Sequence, residues 1–471
     1  MEVQAAGKTV ETFENNPYGG ENESATSDAK QMYSGIKKYD SDYTGIFREG
    51  KEVKNSNFYS RSRNIKYWAG EGNTDGILWG NSSDVYIDIF NDKDNFSWSG
   101  SNLEFVFLAV CNQLNKEGKN PVKKYAKAML GDKAVRVICG YHDKAPATGD
   151  DDIVKQFIKI AKTGESVKSS WIKANEAYIK NIPYAKNYAV LTHTGNAQYS
   201  RFPGFSSKTY ERPGKSSKKI IRFRRGVEEG ESIVNTSGMK KKSIEKMIPN
   251  YRLKAKPIKI VAKKDCQDVV FNDETKIITD GGEIKTDKVD ISRKKLYQIS
   301  TDYFNTNLKP QNGKITLNRS NMTVAPLLVS DACTDEEEQT IAYSVNFTNQ
   351  YQGIPIEGEG YNVIVDSQGV KYTVSKWNQY QEEEIDTEMI GIDDAVEILQ
   401  EEMKENTDGH TMKVKNNIQK QKNNIKELSV SFVYNEDSGY YEPAYHFELA
   451  DNSVKEISCV DGTILGDDRN E

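Results

Sequence analysis

Two residues with reactive side chains directly follow apolar segments of the chain. Glu71 follows YWAG, and Cys111 ends FVFLAVC. His142 and His193 follow two further apolar segments, VRVICGY and NYAVLT. If these segments are parallel strands, their carboxyl ends meet at one edge of the sheet, where α/β proteins bind ligands. The pattern predicts a site that contains Cys111, Glu71 and His142.

The chemistry expected of such a set is nucleophilic attack by the Cys111 thiolate. The thiol must first lose its proton, and a neighbouring imidazole accepts it well near neutral pH. Transfer to Glu71 is uphill, because the ordinary pKa values of the two groups differ by about four units, or roughly 5–6 kcal/mol. A carboxylate nearby also raises the pKa of the thiol. Glu71 and Cys111 are therefore not equivalent to a thiol–imidazole dyad.

Three interpretations of these residues stay open. In the first, His142 is a substitute base for Cys111. In the second, a desolvated Glu71 with a raised pKa acts as an acid or binds a cationic group of a substrate. In the third, Cys111 is a small buried residue that closes a strand, since free cysteines are among the most buried residue types. Cys139 is expected in the core, and His193 is expected to form a hydrogen bond in a turn.

The first 200 residues alternate short apolar segments with amphipathic ones. Near-continuous apolar strands between helices indicate a doubly wound, mostly parallel sheet that is covered on both faces. Strands are predicted at 8–13, 64–70, 103–111, 134–141 and 187–192, and helices at 23–39, 120–130, 151–164 and 166–178.

Beyond residue 200 the composition changes twice. Residues 201–285 are predicted to form a basic connector with irregular strands, with eight Lys and Arg between Lys208 and Arg225. This segment lacks the interleaved aromatic residues of a groove for single-stranded nucleic acid. Residues 286–471 are predicted to form an α+β domain, or two repeats at 286–380 and 381–471. Helices at 292–307 and 391–405 each precede a meander of strands, at 338–377 and 425–465.

The composition argues against several classes of protein. The 471 residues carry a net charge of −6, so no global field favours nucleic acid. No apolar segment is long enough to span a bilayer. Five scattered cysteines lack the paired spacing of a zinc site, although a Cys333–Cys459 disulfide is left open. Acidic segments at 39–45 and 91–95 lack the calcium-loop pattern, so neither a metal nor a cofactor is expected.

The start of the chain, MEVQAAGKTV, has no basic segment followed by an apolar stretch. This indicates either a cytoplasmic protein or one from which an export signal has been removed.

The layout of residues 8 to about 225 resembles the caspase-like clan of cysteine peptidases, in which one apolar strand ends in HG and the next in C. It resembles more closely a bacterial domain family of unknown function built on that core. In that family GHG follows the strand, and a helix similar to SVKSSWIKAN lies beyond a GY-type turn. This chain has AGEGN instead of GHG, so Glu71 occupies the position where the resemblance implies the general base.

Residues 286–471 resemble the PepSY-like domains of secreted bacterial proteins. The shared features are GIPI before a strand, the acidic helix DDAVEIL and a closing strand that ends in DG. Those domains are small α+β units with a helix against a curved antiparallel sheet. The resemblance implies a secreted or cell-envelope setting and a binding or inhibitory role, with this domain packed on the α/β domain.

Together these observations predict a secreted or envelope-associated bacterial protein with a degenerate cysteine-peptidase fold. It is expected to bind a peptide or cell-surface ligand rather than to catalyse a reaction. One alternative is an active cysteine hydrolase that uses Cys111 with His142. The other is a structural envelope protein without a pocket. Neither nucleic acid nor a membrane span is expected.

Overall fold

The computed structural model describes most of the chain. It covers residues 8–14, 24–49, 52–79, 86–91, 97–100, 102–147, 149–182, 184–205, 219–230, 241–263, 267–270, 276–279, 283–405, 425–450 and 454–465. These residues form a mixed α/β fold in which one large sheet runs through both halves of the chain. Within these ranges, no helix is both long enough and apolar enough to cross a membrane.

The strands begin and end as follows. In the first half they are β1 (Thr9–Glu14), β2 (Thr44–Glu49), β3 (Ile65–Ala69), β4 (Glu71–Gly72), β5 (Ile77–Trp79), β6 (Tyr86–Asp88), β7 (Phe105–Ala109), β8 (Val137–Tyr141), β9 (Tyr188–His193) and β10 (Ile220–Arg225). In the second half they are β11 (Tyr251–Pro257), β12 (Ile260–Ala262), β13 (Gln267–Val270), β14 (Lys276–Thr279), β15 (Leu308–Pro310), β16 (Met322–Asp331), β17 (Gln339–Tyr351), β18 (Ile354–Asp366), β19 (Gly369–Lys376), β20 (Asn378–Glu384), β21 (Ile425–Asn435), β22 (Tyr440–Leu449), β23 (Val454–Ser458) and β24 (Ile464–Leu465).

The helices cover the two faces of this sheet framework. They are α1 (Ser24–Tyr39), α2 (Asn55–Tyr59), α3 (Pro121–Ala128), α4 (Asp150–Lys162), α5 (Val167–Tyr178), α6 (Lys241–Glu245), α7 (Arg293–Asn307) and α8 (Ile392–Glu405).

The first half of the main sheet is parallel, in the order β2–β1–β3–β7–β8. Side chains alternate between its faces, so successive residues of one strand enter different cores. Tyr67 and Phe107 pack with α1, α4 and α5 on one face, which we call the α5 face. Trp68 and Leu108 pack with α2 and α3 on the other, which we call the α3 face. The predicted doubly wound α/β architecture is confirmed.

The second half of the main sheet is antiparallel. β9 runs antiparallel to β8, and β10, β16, β17, β18, β19, β14 and β13 follow in that order. The basic segment thus contributes a strand, β10, that lies between β9 and β16. The division of the chain at residues 200 and 286 stays a prediction.

The predicted helix-on-antiparallel-sheet units are present in the second half. α7 buries Leu296 and Phe304 against β16, β17 and β18. α8 buries Ile392 and Leu399 against β21, β22 and β23. Strands β20, β11, β22, β21, β23 and β24 pair with one another as a second sheet. It meets the main sheet at β18, where Ile356 pairs with Phe432 of β21.

Helix α5 is buried along its whole length. The main sheet wraps around it, because residues from β3, β7 and β8 and residues from β17, β18 and β19 belong to the same core as Trp171 and Ile172. A helix in such a position must have a partner for every polar side chain it carries, since an unpartnered buried polar group is costly.

Glu176 is the buried acid through which α5 holds the two halves together. Its Oε1 accepts a hydrogen bond from Tyr188 Oη at 2.7 Å and lies 3.3 Å from Arg225 Nε. Its Oε2 accepts hydrogen bonds from Ser344 Oγ and Asn362 Nδ2, both at 2.8 Å. One carboxylate therefore joins α5, β9, β10, β17 and β18.

Replacing Glu176 by Gln removes one of the two carboxylates, those of Glu176 and Glu228, that face buried Arg225. We expect the free energy of unfolding to fall by about 3 kcal/mol, the lower end of the effect of removing one partner of a buried ion pair, because Glu228 still faces the arginine. Urea unfolding followed by circular dichroism measures this. Asp151→Asn, which breaks a partly exposed contact of 2.6 Å with Lys155 on α4, is the matched control and should cost about 1 kcal/mol or less. Equal losses in the two variants would contradict the central role of Glu176.

Two further acids, Asp28 on α1 and Asp150 on α4, are buried on the α5 face. Asp28 Oδ2 accepts a hydrogen bond from Tyr67 Oη at 2.6 Å. Burial raises the pKa of Asp28 to about 7, although the bonds from Tyr67 and from the Ala29 N–H oppose the shift. Burial and the charge of Asp28 also raise the pKa of Asp150.

Because the folded-state pKa of Asp28 exceeds its unfolded value, the folded chain holds this proton more tightly. The contribution of Asp28 to stability is therefore fully present below the ordinary pKa of an aspartate, about 3.8, and is lost as the pH rises to about 7. An amide at this position keeps the partners without an ionisable proton. We expect Asp28→Asn to gain on the order of 3 kcal/mol relative to the wild type between pH 4.5 and pH 8. Urea titrations at both values, with exposed Asp42→Asn as a control that shows no such trend, measure the difference.

Candidate functional site

Glu71 and Cys111 lie together at the carboxyl edge of the parallel strands. β3 and β7 pair in parallel register, with Ala69 opposite Ala109, so Glu71 and Cys111 follow at the same level. Gly72 packs directly against the turn beyond β7, where an added Cβ would lie 2.7 Å from the carbonyl oxygen of Cys111. The structure therefore brings these two predicted site residues to one place.

The turn that carries Cys111 is fixed on two sides. Asn112 adopts a left-handed conformation with φ of 62°, and its N–H donates to Asp143 O at 2.8 Å. The side chain of Gln113 is buried, donates to Asn73 O at 3.2 Å and accepts from Tyr125 Oη at 2.7 Å. The positive φ is uncommon for a residue other than glycine and aims the chain sharply away from the strand.

The Cys111 thiol is half-buried, and its surroundings oppose ionisation. Burial raises its pKa, and the charges of Glu71 and Asp143 raise it further. The Ala145 N–H, 3.3 Å from Sγ, and the charge of Lys144 act in the opposite direction but do not outweigh these effects. At neutral pH the sulfur is therefore protonated and a weak nucleophile.

Glu71 is the first residue of β4, which pairs with β5 in a short antiparallel sheet. Burial raises the pKa of its carboxyl group, while a hydrogen bond from the Gly72 N–H lowers it. A half-buried carboxyl in this position can accept a proton or bind a cationic group.

His142 lies on the other face of the sheet from Cys111. Cys111 packs on the α5 face together with Tyr141, so the next side chain turns to the α3 face. The charges acting on His142 agree, because they come from Arg222, Arg224 and Glu338, and Arg222 pairs with Leu191 on the α3 face. Burial, together with the positive charge of the two arginines, lowers the pKa of His142 to about 3. The structure does not bring His142 to the thiol.

His193 lies at the opposite edge of the sheet. It ends β9, which is antiparallel to β8, and its ring contacts Val135 O at 3.1 Å in a buried position. The expected hydrogen bond is present, but His193 forms it at the end of a strand and not in a turn. The sequence signal for the direction of β9 was the number of helices between β8 and β9. A single helix after a parallel strand returns the chain to the amino edge of the sheet, so that the next strand is again parallel. Two helices, α4 and α5, bring the chain back to the carboxyl edge, so that β9 runs antiparallel to β8.

The remaining candidates from the sequence are the other cysteines and the two acidic segments. Cys139 is in the core, as expected, and Cys333 and Cys459 are both free thiols. Cys266 lies outside the described residues, as does most of the acidic segment at 91–95. In the other acidic segment, Asp40 and Asp42 contact Lys8 Nζ at 2.8 and 3.1 Å.

A charged group beside His142 was not predicted from the sequence. Arg222 Nε donates to Leu114 O at 2.9 Å, and Arg222 and Arg224 both hydrogen-bond Glu338, each at 2.9 Å. This group connects the Cys111 turn to β10. The alternation of basic and apolar residues in IIRFRR was the signal, since it indicates a strand rather than a connector.

Comparison with known proteins finds a family model that matches part of the chain. Residues 14–214 match DUF6345, a domain of unknown function. No curated protein matches the chain. The predicted resemblance of the first half to a domain family of unknown function is thus confirmed, whereas the PepSY-like resemblance finds no support and stays a prediction.

Two of the similar solved structures are gingipains, which are cysteine proteinases. The first is the Arg-specific cysteine proteinase gingipain R, with 10% identity and a TM-score of 0.29 over 69% of this chain and 67% of the other. The second is a complex of the pro- and mature domains of RgpB from Porphyromonas gingivalis, with 9% identity and a TM-score of 0.31 over 81% of this chain and 69% of the other.

The raised pKa of Cys111 has a measurable consequence. Alkylation of Cys111 by iodoacetamide at pH 7.5 should be slower than that of a free cysteine, and it should accelerate about tenfold per pH unit up to pH 9. Glu71→Gln removes a like charge and should increase the rate severalfold, which is less than the effect of burial. Quantitative peptide mass spectrometry measures both rates.

Cys333 is the matched thiol in the same chain, since burial also raises its pKa. Its alkylation should not respond to Glu71→Gln. If Cys111 of the wild type reacted faster than a free cysteine at pH 7, the description of its surroundings would be wrong.

Proposed function

We propose that the first half of the chain is a degenerate cysteine-peptidase-like scaffold that binds a ligand instead of hydrolysing one. The proposal rests on one observation, that among the charged groups acting on the Cys111 thiol the largest effect is that of the Glu71 carboxylate, which raises its pKa. A carboxylate disfavours the thiolate, whereas an adjacent imidazole would favour it.

The active-hydrolase alternative requires His142 to accept the proton of Cys111. Its side chain turns to the α3 face, among Arg222, Arg224 and Glu338, whereas the thiol lies on the α5 face. A pKa of about 3 also makes the imidazole a poor proton acceptor for a thiol. Both the geometry and the electrostatics therefore favour the binding function.

The ligand that suits this edge is a peptide or cell-surface molecule with a basic group. Glu71 is half-buried with a raised pKa, so a cation that displaces water there would gain a partner in a region of low polarity. The turn at Asn112 and Gln113 holds the neighbouring backbone in place, and a preformed site lowers the ordering cost of binding. The setting we propose is the secreted or cell-envelope one that the PepSY-like resemblance implies.

Turnover by the purified full chain tests the proposal. With a panel of fluorogenic peptides that carry Lys, Arg, Asp or apolar residues, hydrolysis by the wild type should equal that of Cys111→Ala. Replacing Glu71 by His should raise alkylation of Cys111 at pH 7.5 by about tenfold, because an imidazole favours the thiolate that a carboxylate disfavours.

Binding of the same peptides provides the second measurement. Basic peptides should bind the wild type more tightly than acidic ones, and Glu71→Gln should reduce this preference while Cys111→Ala preserves it. Hydrolysis by the wild type that Cys111→Ala abolishes would overturn the proposal.

A further inference from the structure

Three potential metal ligands come together in the second half, far along the chain from Cys111. One ligand atom from each of Glu357, His446 and Glu456 lies within 4.8 Å of the other two. His446 Nδ1 is 3.0 Å from Glu456 Oε1. All three residues are partly exposed, so an ion from solution can reach them.

The framework of the site consists of three strands. His446 on β22 lies directly opposite Glu456 on β23, and directly paired residues of an antiparallel sheet point to the same face. This pair is part of a regular ladder that runs from Ala444 to Glu448, so its geometry does not depend on a loop.

Glu357 reaches the pair because β18 changes partner at this point. Its pairing with β17 shifts between Thr348 and Gln350, and Ile356 pairs instead with Phe432 of β21. Such an irregularity re-aims the side chains of the strand. The next residue, Gly358, adopts a φ of 72°, a left-handed conformation that favours glycine.

The donor set of the three residues is one imidazole nitrogen and carboxylate oxygens from two residues. Zn²⁺ accepts both donor types and commonly uses three protein ligands with a fourth position open to solvent. Ca²⁺ and Mg²⁺ prefer sites made of oxygen alone, so the imidazole disfavours them. Two carboxylates also supply the charge that a divalent cation neutralises.

We propose that Glu357, His446 and Glu456 form a binding site for a divalent transition-metal ion, with Zn²⁺ the ion that fits the donors best. The ion would connect β18, which belongs to the main sheet, with β22 and β23 of the second sheet. The site would therefore link the two sheets of the second half.

The competing explanation is a proton shared within the same three residues. An imidazolium between two carboxylates is an ordinary ion-pair arrangement, and a metal must displace its proton. The two explanations differ in whether zinc binds with a defined stoichiometry at these residues.

Equilibrium dialysis of the full chain tests the site directly. After removal of metals by a chelator, the protein is dialysed against ZnCl₂ at pH 8 and bound zinc is measured by mass spectrometry. The wild type should bind one Zn²⁺ per chain that is lost, or weakened at least about tenfold, in each of His446→Gln, Glu357→Gln and Glu456→Gln. Glu448→Gln is the matched control on the same face of β22, and it should weaken binding by no more than about fivefold.

Thermal unfolding supplies an independent readout, since an ion that binds only the folded chain raises the melting temperature. Zinc should raise it for the wild type and Glu448→Gln but not for the three ligand variants, whose circular dichroism spectra establish that they are folded. If one of the three ligand variants fails to fold, zinc binding by the other two still tests the proposal. Equal zinc binding by the wild type and the ligand variants, no zinc binding at all, or equally tight binding of Ca²⁺ would overturn the proposal.

Discussion

The arrangement of the whole molecule depends on providing hydrogen-bond and charge partners for the polar side chains of one buried helix. α5 has no face toward solvent, and Glu176 lies within it among apolar side chains from both halves of the main sheet. The carboxylate is acceptable there because Arg225, Tyr188, Ser344 and Asn362 all turn toward it. These partners come from β9, β10, β17 and β18, so the interaction fixes where the antiparallel half wraps around the helix.

The same wrapping explains why Cys111 and His142, which one interpretation of the sequence paired as nucleophile and base, lie apart. β10 occupies a place beside β9, and its arginines Arg222 and Arg224 point to the α3 face. His142 lies among these charges, where a proton on its ring is unfavourable. Cys111 lies on the α5 face with Glu71 as its charged neighbour. The sheet thus separates the imidazole from the thiol even though both follow adjacent parallel strands.

Much of the fold follows from local patterns of the sequence, but strand direction does not. IKYWA, FVFLA and VICGY are apolar throughout because parallel strands are buried on both faces, so each was predicted within two or three residues of its bounds. β2 was missed because TGIFRE is only partly buried. The direction of β9 follows from the presence of two helices, α4 and α5, between β8 and β9, provided that the helices pack antiparallel, and that packing is a tertiary property. The sequence was enough to predict that Glu71 and Cys111 lie at the same edge of the sheet. It was not enough to predict the face on which His142 lies, because that face is recognised from the arginines of β10 and so from the register of β10 with β9.

In the second half of the chain, two glutamates of β18, Glu357 and Glu359, differ in burial and in their partners. Glu359, two residues beyond Glu357 on β18, is fully buried. Its carboxylate accepts hydrogen bonds from Tyr441 Oη at 2.6 Å and Asn349 Nδ2 at 3.0 Å, and also from Tyr380 and Asn378. Glu357 is partly exposed, and its neighbours in the cluster are an imidazole and another carboxylate. The two acids of the GIPIEGEG segment therefore have different surroundings. Glu357 faces groups that can bind a cation, whereas Glu359 faces neutral donors that fill the hydrogen-bonding capacity of its carboxylate. The irregular pairing of β18 produces this difference, because it sends alternate side chains of one short segment into a packed junction and toward an accessible edge.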